Sequence, residues 1–301
     1  MAFKSDKKYD RPIQKLYQPD DTYKKQPLPK PSGTYPYHLN LDKFADVSPD
    51  AFSFNMVGDT GGVRYPAGQK KIATQMCNQL TENNIAERPA FLYHLGDVVY
   101  HFGEAEQYER QFFKPYENYN RPVFAIAGNH DSDVNPANPV PYKSLDAFMA
   151  VFCDSESRSI PFAGTSARKS MVQPNVYWTL QTPLANIIGL HSNTPKYGYV
   201  DETQRKWFVE ELKTAAKEQP GKLILVAIHH APYTADFNHG SSLPMIEFLE
   251  GAFAESGVLP DGVFSGHVHN YQRFNKTYPN GKVVPYIVSV SYTHLTLPTK
   301  A

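Results

Sequence analysis

The sequence has little cysteine and no long apolar run, and each absence excludes a class of protein. Its 301 residues include 2 cysteines, Cys77 and Cys153, which are too few for a disulfide framework and lack the spacing of a metal site. We expect both to be reduced thiols packed in the interior. No apolar stretch approaches the ~20 residues that span a bilayer. The mean hydropathy is -0.49, so we expect no membrane partner.

Charge of one sign is not in excess either. The 30 basic residues balance 30 acidic ones, so no overall field favours nucleic acid, and any anion must be attracted locally. The first residues, MAFKSDKKYD, lack the apolar core of a signal peptide. A cytoplasmic location is therefore expected, or export if the true start differs. Nothing in the sequence indicates an oligomeric state.

Composition divides the chain into three regions. Residues 1–45 are rich in Lys, Tyr and Pro, and we expect an extended arm that wraps the surface or stays mobile. Residues 46–289 are expected to form the folded domain. Residues 290–301 read VSYTHLTLPTKA, which resembles a translated sequencing adapter more than an ordinary polar strand. We therefore expect this tail to be non-native and the domain to be truncated at its C-terminus.

Strand-like and helix-like segments alternate through the folded region. Apolar runs such as AFLYHLGD end in polar residues, and helical spacing places Ile72, Met76, Leu80 and Ile85 near one face. The alternation predicts an α/β fold built from layers of sheet and helix. Helices are predicted over residues 67–86, 104–119 (a polar helix), 202–217 and 243–256. The third of these is predicted to be amphipathic, with Trp207, Phe208 and Leu212 facing inward.

Five polar clusters each follow a predicted strand. In an open α/β sheet, side chains just beyond the C-terminal strand ends converge on one crevice, so residues distant in sequence can share a site. A single cluster is equally well explained by a turn or a helix cap, but the ordered set is not. The clusters are GDTGG (58–62), GDVVY (96–100), GNHD (128–131), VAIHH (226–230) and GHVH (266–269).

The clusters combine aspartates, an asparagine and histidines. Carboxylate and amide oxygens together with imidazole nitrogens suit Fe, Mn or Zn better than Ca or Mg, which rely on oxygen ligands. A carboxylate can bridge two cations, and paired metals ~3.5–4 Å apart are the usual device for attacking a phosphoryl group. The sequence therefore predicts a dinuclear metal site that hydrolyses a phosphate ester.

In order, the five clusters resemble the signature blocks of the purple acid phosphatases within the calcineurin-like metallophosphoesterases. Those blocks are GDxG, GDxxY, GNHD or GNHE, VxxH and GHxH. The similarity extends over about residues 52–289 and looks closest to the short, tartrate-resistant branch. It implies a calcineurin-like four-layer αββα sandwich, with the metal site at the C-terminal ends of the strands.

One sequence position resembles the purple acid phosphatases and differs from most of the superfamily. Most calcineurin-like enzymes carry a histidine two residues after the first aspartate, where this chain has Gly61. Tyr100, three residues after Asp97, is positioned to replace it, as in the purple acid phosphatases. A phenol needs a strongly Lewis-acidic ion such as Fe(III) to bind as phenolate at neutral pH. The alternative is a tyrosine that merely packs beside the site.

The resemblance also implies the two ligand sets. A ferric ion would be held by Asp59, Tyr100 and His269, with Asp97 bridging to a second ion, which would be Fe(II), Zn or Mn. Beside Asp97, the ligands implied for the second ion are Asn129, His229 and His267. His229 fits the VxxH block, while its neighbour His230 is the competing candidate and is expected to lie behind the ligands or in the core.

Four further polar residues receive expected roles. The resemblance implies that His130 contacts the substrate phosphate and helps protonate the leaving alcohol. His239, in FNHG, resembles a second substrate-facing histidine, with a plain loop histidine as the alternative. Asp131 is expected to orient the loop or a ligand, and His94 to lie in the core. His191 stands in GLHSNT where relatives carry an aspartate, and the sequence offers no interpretation of it.

The function predicted from these features is hydrolysis of small phosphate monoesters by an enzyme of acid phosphatase type. One alternative is a phosphodiesterase or nucleotidase of the same superfamily with Mn or Zn in both sites. Another is a catalytically inactive, truncated phosphate-binding protein. The intact ligand blocks argue against the second alternative, whereas the suspected truncation keeps it open.

Overall fold

Two β-sheets organise the chain, for which a computed structural model describes residues 11–15, 17–62 and 66–290. Each predicted strand that precedes a polar cluster is present. The segment NVYWTLQTPLANIIGL forms a hairpin of two strands. Within the described residues the strands are β1 (His38–Asn40), β2 (Ser53–Val57), β3 (Pro89–His94), β4 (Val123–Ala125), β5 (Trp178–Gln181), β6 (Ala185–Leu190), β7 (Leu223–Ile228), β8 (Gly262–Ser265), β9 (Tyr271–Thr277) and β10 (Val283–Ser289).

The two sheets differ in size. The small sheet is parallel throughout, with the order β2-β3-β4. The large sheet has seven strands in the order β1-β5-β6-β7-β8-β10-β9, and only its β5–β6 and β10–β9 pairs are antiparallel. Parallel neighbours bring their carboxyl ends to one edge, so β7 and β8 end side by side, as β2, β3 and β4 do in the other sheet.

Helices cover the outer faces of both sheets. Helix α5 has the predicted apolar stripe, since Trp207, Phe208 and Leu212 are buried. It begins where the carboxylate of Asp201 accepts a hydrogen bond from the backbone N–H of Gln204 at 2.7 Å, a typical N-cap. The helices are α1 (Pro66–Gln79), α2 (Ala105–Tyr108), α3 (Asn129–Ser132), α4 (Asp146–Phe152), α5 (Glu202–Ala216) and α6 (Leu243–Ser256).

The core between the sheets is aromatic and aliphatic. The small sheet contributes Phe91, Tyr93 and Phe124, and the large sheet contributes Trp178 and Ile187, all fully or almost fully buried. A second cluster joins the outer faces of the sheets to the helices. The result is the four-layer αββα sandwich that the sequence predicts. Within the described residues, no helix has both the length and the apolar character needed to cross a membrane.

The predicted polar helix over 104–119 is wrong in character and length. Helix α2 is followed by one π-helical turn, Glu109–Phe113, and the region then leaves regular helix. Its aromatic side chains are buried, among them Phe112, Phe113 and Tyr116. Helix α1 also ends earlier than predicted, at Gln79, and Ile85 beyond it is 75% exposed.

The N-terminal arm differs from the expectation in part. Strand β1 lies inside residues 1–45, pairs with β5 and forms an edge of the large sheet. Leu39 and Leu41 are buried in the core between the sheets, so a boundary at 45/46 does not separate the described part of the arm from the domain. Both cysteines are free thiols, Cys153 buried and Cys77 partly buried. The predicted adapter-like tail lies outside the described residues from 291 onward.

Candidate metal centre

The nine predicted site residues come from the carboxyl ends of both sheets. Asp59, Asp97 and Asn129 follow β2, β3 and β4 of the small sheet, while His229 and His267 follow β7 and β8 of the large one. Tyr100, His269 and His130 lie one to three residues further along three of these segments. His239 lies on the loop between β7 and α6. The site therefore straddles the junction of the two sheets, where parallel strand ends from each converge.

The backbone turns sharply at three of these positions. Asp59 and Asp97 both have φ 54°, and His267 has φ 66°. Non-glycine residues rarely adopt this left-handed conformation, and such strain clusters at functional sites. The two aspartate loops support each other, because Asp59 N–H donates to Gly96 O at 2.9 Å and Thr60 N–H donates to Asp97 O at 3.1 Å.

A first group of donor atoms surrounds the Asp59 carboxylate. Tyr100 Oη lies 3.4 Å from Asp59 Oδ1 and 3.3 Å from His269 Nε2, and His269 Nε2 lies 3.5 Å from Asp59 Oδ1. Donors about 2.1 Å from one ion are separated by about 3.0 to 3.4 Å at octahedral or tetrahedral angles. The three side chains therefore fit around a single metal ion.

A second group surrounds Asn129. His229 Nε2 lies 3.1 Å and His267 Nδ1 lies 3.0 Å from Asn129 Oδ1. His229 Nε2 is also 3.4 Å from Asp97 Oδ1, so the four side chains converge. The Nδ1–H of His229 donates to Leu95 O at 2.8 Å, which leaves Nε2 as the nitrogen that faces the group.

The two groups are adjacent. Ligand atoms of Asp59, Asp97 and His229 all lie within 4.8 Å of one another, and all three residues are buried. Both groups thus share one small volume, with Asp97 between them. Carboxylate oxygens and imidazole nitrogens are donors that suit Fe, Zn or Mn, so the residues present fit a dinuclear centre.

Electrostatics also favour a cation here. Burial alone would lower the pKa of His229, but the carboxylates of Asp97 and Asp59 raise that pKa to about 9. Burial, followed by the charges of Asp59 and Asp97, raises the pKa of the Tyr100 phenol well above its usual value. The two buried carboxylates therefore stabilise positive charge between them and keep the phenol protonated until a cation offsets their field.

The two candidate substrate-facing histidines lie beside the donor groups. His130 Nδ1–H donates to His101 O at 2.7 Å, and its backbone N–H donates to Asp97 Oδ1 at 2.9 Å. The ring of His239 lies 4.9 Å from that of His267, between ring centroids. Its Nδ1 lies 2.7 Å from Asp236 Oδ2. In both rings the paired Nδ1 leaves Nε2 as the nitrogen able to meet another molecule.

Two other buried polar residues contact the segments that carry the donor side chains. Asp131 is fully buried, and its carboxylate accepts hydrogen bonds from the backbone N–H groups of Val98, Val99 and Gly128, so it orients the loops that carry Asp97 and Asn129. His230 is also buried. Its Nδ1 lies 2.7 Å from Ser192 Oγ, and its ring lies 4.4 Å from that of His267.

Two further histidines, His94 and His191, are buried and are not members of the donor groups. His94 is fully buried, as predicted, and its Nε2 lies 2.9 Å from Thr60 Oγ1. Burial lowers the pKa of His94 to about 3, so the ring is neutral. His191 is buried at the end of β6 and belongs to neither donor group.

With this geometry in place, comparison with known proteins gives the family. A sequence profile described as Calcineurin-like phosphoesterase matches residues 52–271, well over half of the chain. The chain belongs to the calcineurin-like phosphoesterases. Dinuclear metal centres are used in this superfamily, and the buried group of Asp59, Asp97 and His229 fits such a centre.

Individual relatives of this calcineurin-like phosphoesterase are distant. Purple acid phosphatase 21 of Arabidopsis thaliana is 28% identical over 168 residues, which cover 55% of this chain and 34% of the relative, so the chain spans about a third of its length. Among solved structures, one described as the structure of PhoD has a TM-score of 0.45 at 15% identity and covers 80% of this chain and 56% of its own. A putative 5'-nucleotidase from Staphylococcus aureus has a TM-score of 0.42 at 16% identity, with coverages of 77% and 48%.

One buried polar residue beside Tyr100 lies outside every motif of the sequence. Gln111 is fully buried, its Oε1 accepts the backbone N–H of Tyr100 at 2.9 Å, and its Nε2 donates to Tyr100 O at 2.7 Å. This amide pair fixes the backbone from which the phenol projects. A polar residue among buried aromatics was the available signal, because Gln111 precedes Phe112 and Phe113 in the segment predicted to be polar.

Proposed function

We propose that this chain is a dinuclear-metal phosphatase of the purple acid phosphatase type that hydrolyses small phosphate monoesters. One observation carries the proposal. A Cβ atom at Gly61 would lie 2.5 Å from Tyr100 Cδ2 and 2.5 Å from Gln111 Oε1. The space beside the Asp59 carboxylate is therefore filled by the Tyr100 ring, and no side chain at position 61 could reach the metal as a histidine does in most of the superfamily.

The ligand sets of the proposal follow the two donor groups. Asp59, Tyr100 and His269 would hold Fe(III), Asn129, His229 and His267 would hold Fe(II), Zn or Mn, and Asp97 would bridge the two ions. Bound metals would acidify a water molecule and offset the negative charge that develops on the phosphoryl group. The neutral amide of Asn129 leaves the second site more positive than a carboxylate would, which favours a phosphate dianion.

The proposed role of His130 is proton transfer to the leaving alcohol. Since its Nδ1–H is committed to His101 O, a protonated ring offers only Nε2–H to a substrate. The ring is partly exposed and lies 4.6 Å from the Tyr100 ring, between centroids, so it faces the mouth of the site. His239 is proposed as the second substrate-facing histidine, with Asp236 holding its Nδ1 and so fixing the direction of its ring.

The deciding experiment is metal analysis combined with visible spectroscopy of the purified protein. We expect bound iron and a visible absorption band from charge transfer between phenolate and Fe(III). Tyr100→Phe should abolish the band. Tyr108→Phe should keep it, because Tyr108 is another buried tyrosine and its ring packs against Phe113 and Phe162. Absence of iron, or a band that survives in Tyr100→Phe, would overturn the assignment.

Activity measurements separate the substrate classes. We expect phenyl phosphate to be hydrolysed faster than a bis-aryl phosphodiester, and Asp97→Ala to lose nearly all hydrolysis because both metals share its carboxylate. Preference for the diester, together with Mn or Zn in both sites, would favour a phosphodiesterase or nucleotidase. Full activity in Asp97→Ala would contradict any dinuclear mechanism.

A further inference from the structure

Two loops border the candidate centre on the side of the large sheet. The loop from 191 to 201 follows β6, and the loop from 229 to 242 follows β7 and carries His239. Both begin at carboxyl ends of strands, and both are long enough to be mobile unless other residues hold them.

The N-terminal segment is hydrogen-bonded along the loop that carries His239. Ile13 N–H donates to Thr234 O at 2.7 Å, and Ser241 N–H donates back to Ile13 O at 2.8 Å. Lys15 Nζ donates to Asn238 O at 2.6 Å. These contacts join the Thr234 and Ser241 sides of the loop and its tip, directly beside His239, to a segment more than 200 residues earlier in the chain.

The Gln18 side chain makes two hydrogen bonds at the point where this loop meets α6. Its Nε2 donates to Ser241 O at 2.6 Å, and its Oε1 accepts the N–H of Leu243 at 3.1 Å. One side chain thus satisfies both a carbonyl and an amide where the loop enters α6. The Ser242 hydroxyl caps the same helix by accepting Met245 N–H, so Gln18 fixes the loop to a rigid element.

The same segment then crosses the second loop. The Asp21 carboxylate accepts Lys196 N–H at 3.2 Å, and Thr194 Oγ1 donates to Lys24 O at 2.7 Å. Gln26 and Asn193 exchange two hydrogen bonds, of 2.8 and 2.9 Å. A single stretch of chain therefore ties together the two loops that border the centre.

We infer that this stretch, residues 13–15 and 17–26, is a clamp segment that positions His239 at the candidate centre, with Gln18 as its main positioning residue. The inference rests on the proposed function for its consequence in catalysis. Internal bonds join Thr234 to Ser241 and His239 to Asp236, and Gln272 on β9 accepts Ala235 N–H at 2.7 Å, so the start of the loop is held while its tip at 238–240 keeps freedom to move. The clamp segment removes that freedom, and a shift of about 1 Å in a substrate-facing group is enough to slow a reaction about 100-fold.

The test measures loop order and catalysis separately in five variants. Gln18→Ala removes both bonds, whereas Gln18→Glu keeps the acceptor for Leu243 N–H and loses the donor. Tyr17→Ala is the matched control, because Tyr17 precedes Gln18 in the sequence and its own side chain is 78% exposed. His239→Ala, alone and combined with Gln18→Ala, completes a double-mutant cycle. Amide exchange of the 234–243 region is followed by mass spectrometry without metal or substrate.

We expect the 234–243 amides to exchange about tenfold faster in Gln18→Ala, by an intermediate factor in Gln18→Glu and unchanged in Tyr17→Ala, as the loss of one or two hydrogen bonds predicts. With metal content unchanged, kcat/KM for phenyl phosphate should fall about tenfold in Gln18→Ala but hardly at all in the His239→Ala background. A structural effect of Gln18→Ala that does not act through His239 would lower kcat/KM by the same factor with and without His239. That result would overturn the inference.

Unchanged exchange in Gln18→Ala would also overturn the inference. Because exchange is measured without metal or substrate, it remains informative if the wild-type chain hydrolyses no phosphate ester and the proposed function fails. In that case the affinity for inorganic phosphate replaces kcat/KM in the same cycle. Equal affinities with and without Gln18 would then show that the clamp segment does not position His239.

Discussion

At the scale of single residues, the adjacent histidines at the end of β7 show how direction decides a role. His229 and His230 are both buried, and composition cannot separate them. His229 directs Nε2 at Asn129 and Asp97, whereas His230 turns Nδ1 to the hydroxyl of Ser192. Successive residues of an extended chain point to opposite faces, so only one of two neighbours can face the candidate centre.

Substitution of each histidine in turn tests this difference. We expect His229→Gln to lower the affinity for the second metal by at least about 100-fold, the upper end of what a supporting residue costs. His230→Gln should retain affinity within about tenfold, because it removes only support behind His267. Metal content after dialysis against graded chelator provides the measurement. Equal losses in the two variants, or a larger loss in His230→Gln, would contradict the proposed ligand set.

The sequence predicts candidate donor residues and two of the residues that support them, Asp131 and His230, but not Gln111. Gly-Asp and Gly-His pairs after apolar strands are local signals, and strand-end geometry brings them together without any knowledge of the loops. Gln111 belongs to no such motif, because its hydrogen bonds with Tyr100 depend on how the chain folds between the two residues. Residues that act through tertiary contacts are therefore the ones that a single sequence conceals.

At the scale of elements, the end of β6 under α5 contains a pH-sensitive contact. His191 is buried there, and the Gln204 side chain on α5 brackets its backbone, accepting His191 N–H at 2.8 Å and donating to His191 O at 2.9 Å. Burial lowers the pKa of His191 to about 4. The ring therefore remains neutral in the folded protein at pH values where an unfolded chain, with a pKa of about 6.5, takes up a proton.

This difference predicts how acid affects stability. The contribution of neutral His191 to the free energy of unfolding is fully present above about pH 6.5. It is lost as pH falls towards about 4, because in that range only the unfolded state binds the proton. Between about pH 7.5 and 5, His191→Gln should lose about 2 kcal/mol less than the wild type. His94 has a shift of the same sign but is present in both proteins, so it cancels.

Urea unfolding with chelator present, at the two pH values, measures the effect free of metal binding. Parallel pH dependences in the two proteins would show that His191 is hydrated or charged in the folded state.

Elements were predictable where a regular pattern coincides with burial on one face. Helix α5 meets that condition, and its predicted inward residues are buried. The 104–119 region does not, because its aromatic residues are separated by charged ones that still reach solvent at the rim. Strand β1 is three residues long and lies among prolines, so only its pairing with β5 makes it a strand. Short edge strands depend on a partner distant in sequence, and local patterns carry no information about it.

At the scale of the whole molecule, the candidate centre is a connection between the two sheets. Asp59, Asp97 and Asn129 belong to segments of the small sheet, whereas His229, His267 and His269 belong to the large one. An ion shared by these side chains would bind only when both sheets are folded and docked. Because ligands that bind only the folded state stabilise it by mass action, metal binding should strengthen the entire sandwich and not just the loops.

The corresponding measurement is thermal unfolding with and without metal. With free metal at about 100 times its dissociation constant, the stabilisation is about 2.7 kcal/mol, which corresponds to a rise in Tm of roughly 4 °C for a chain of this size. Asp97→Asn should abolish most of the rise, because the carboxylate between the two donor groups is lost. Asp50→Asn, at an exposed position, should keep it. A rise of equal size in Asp97→Asn would place the stabilising metal elsewhere and would separate the stability of the sandwich from the candidate centre.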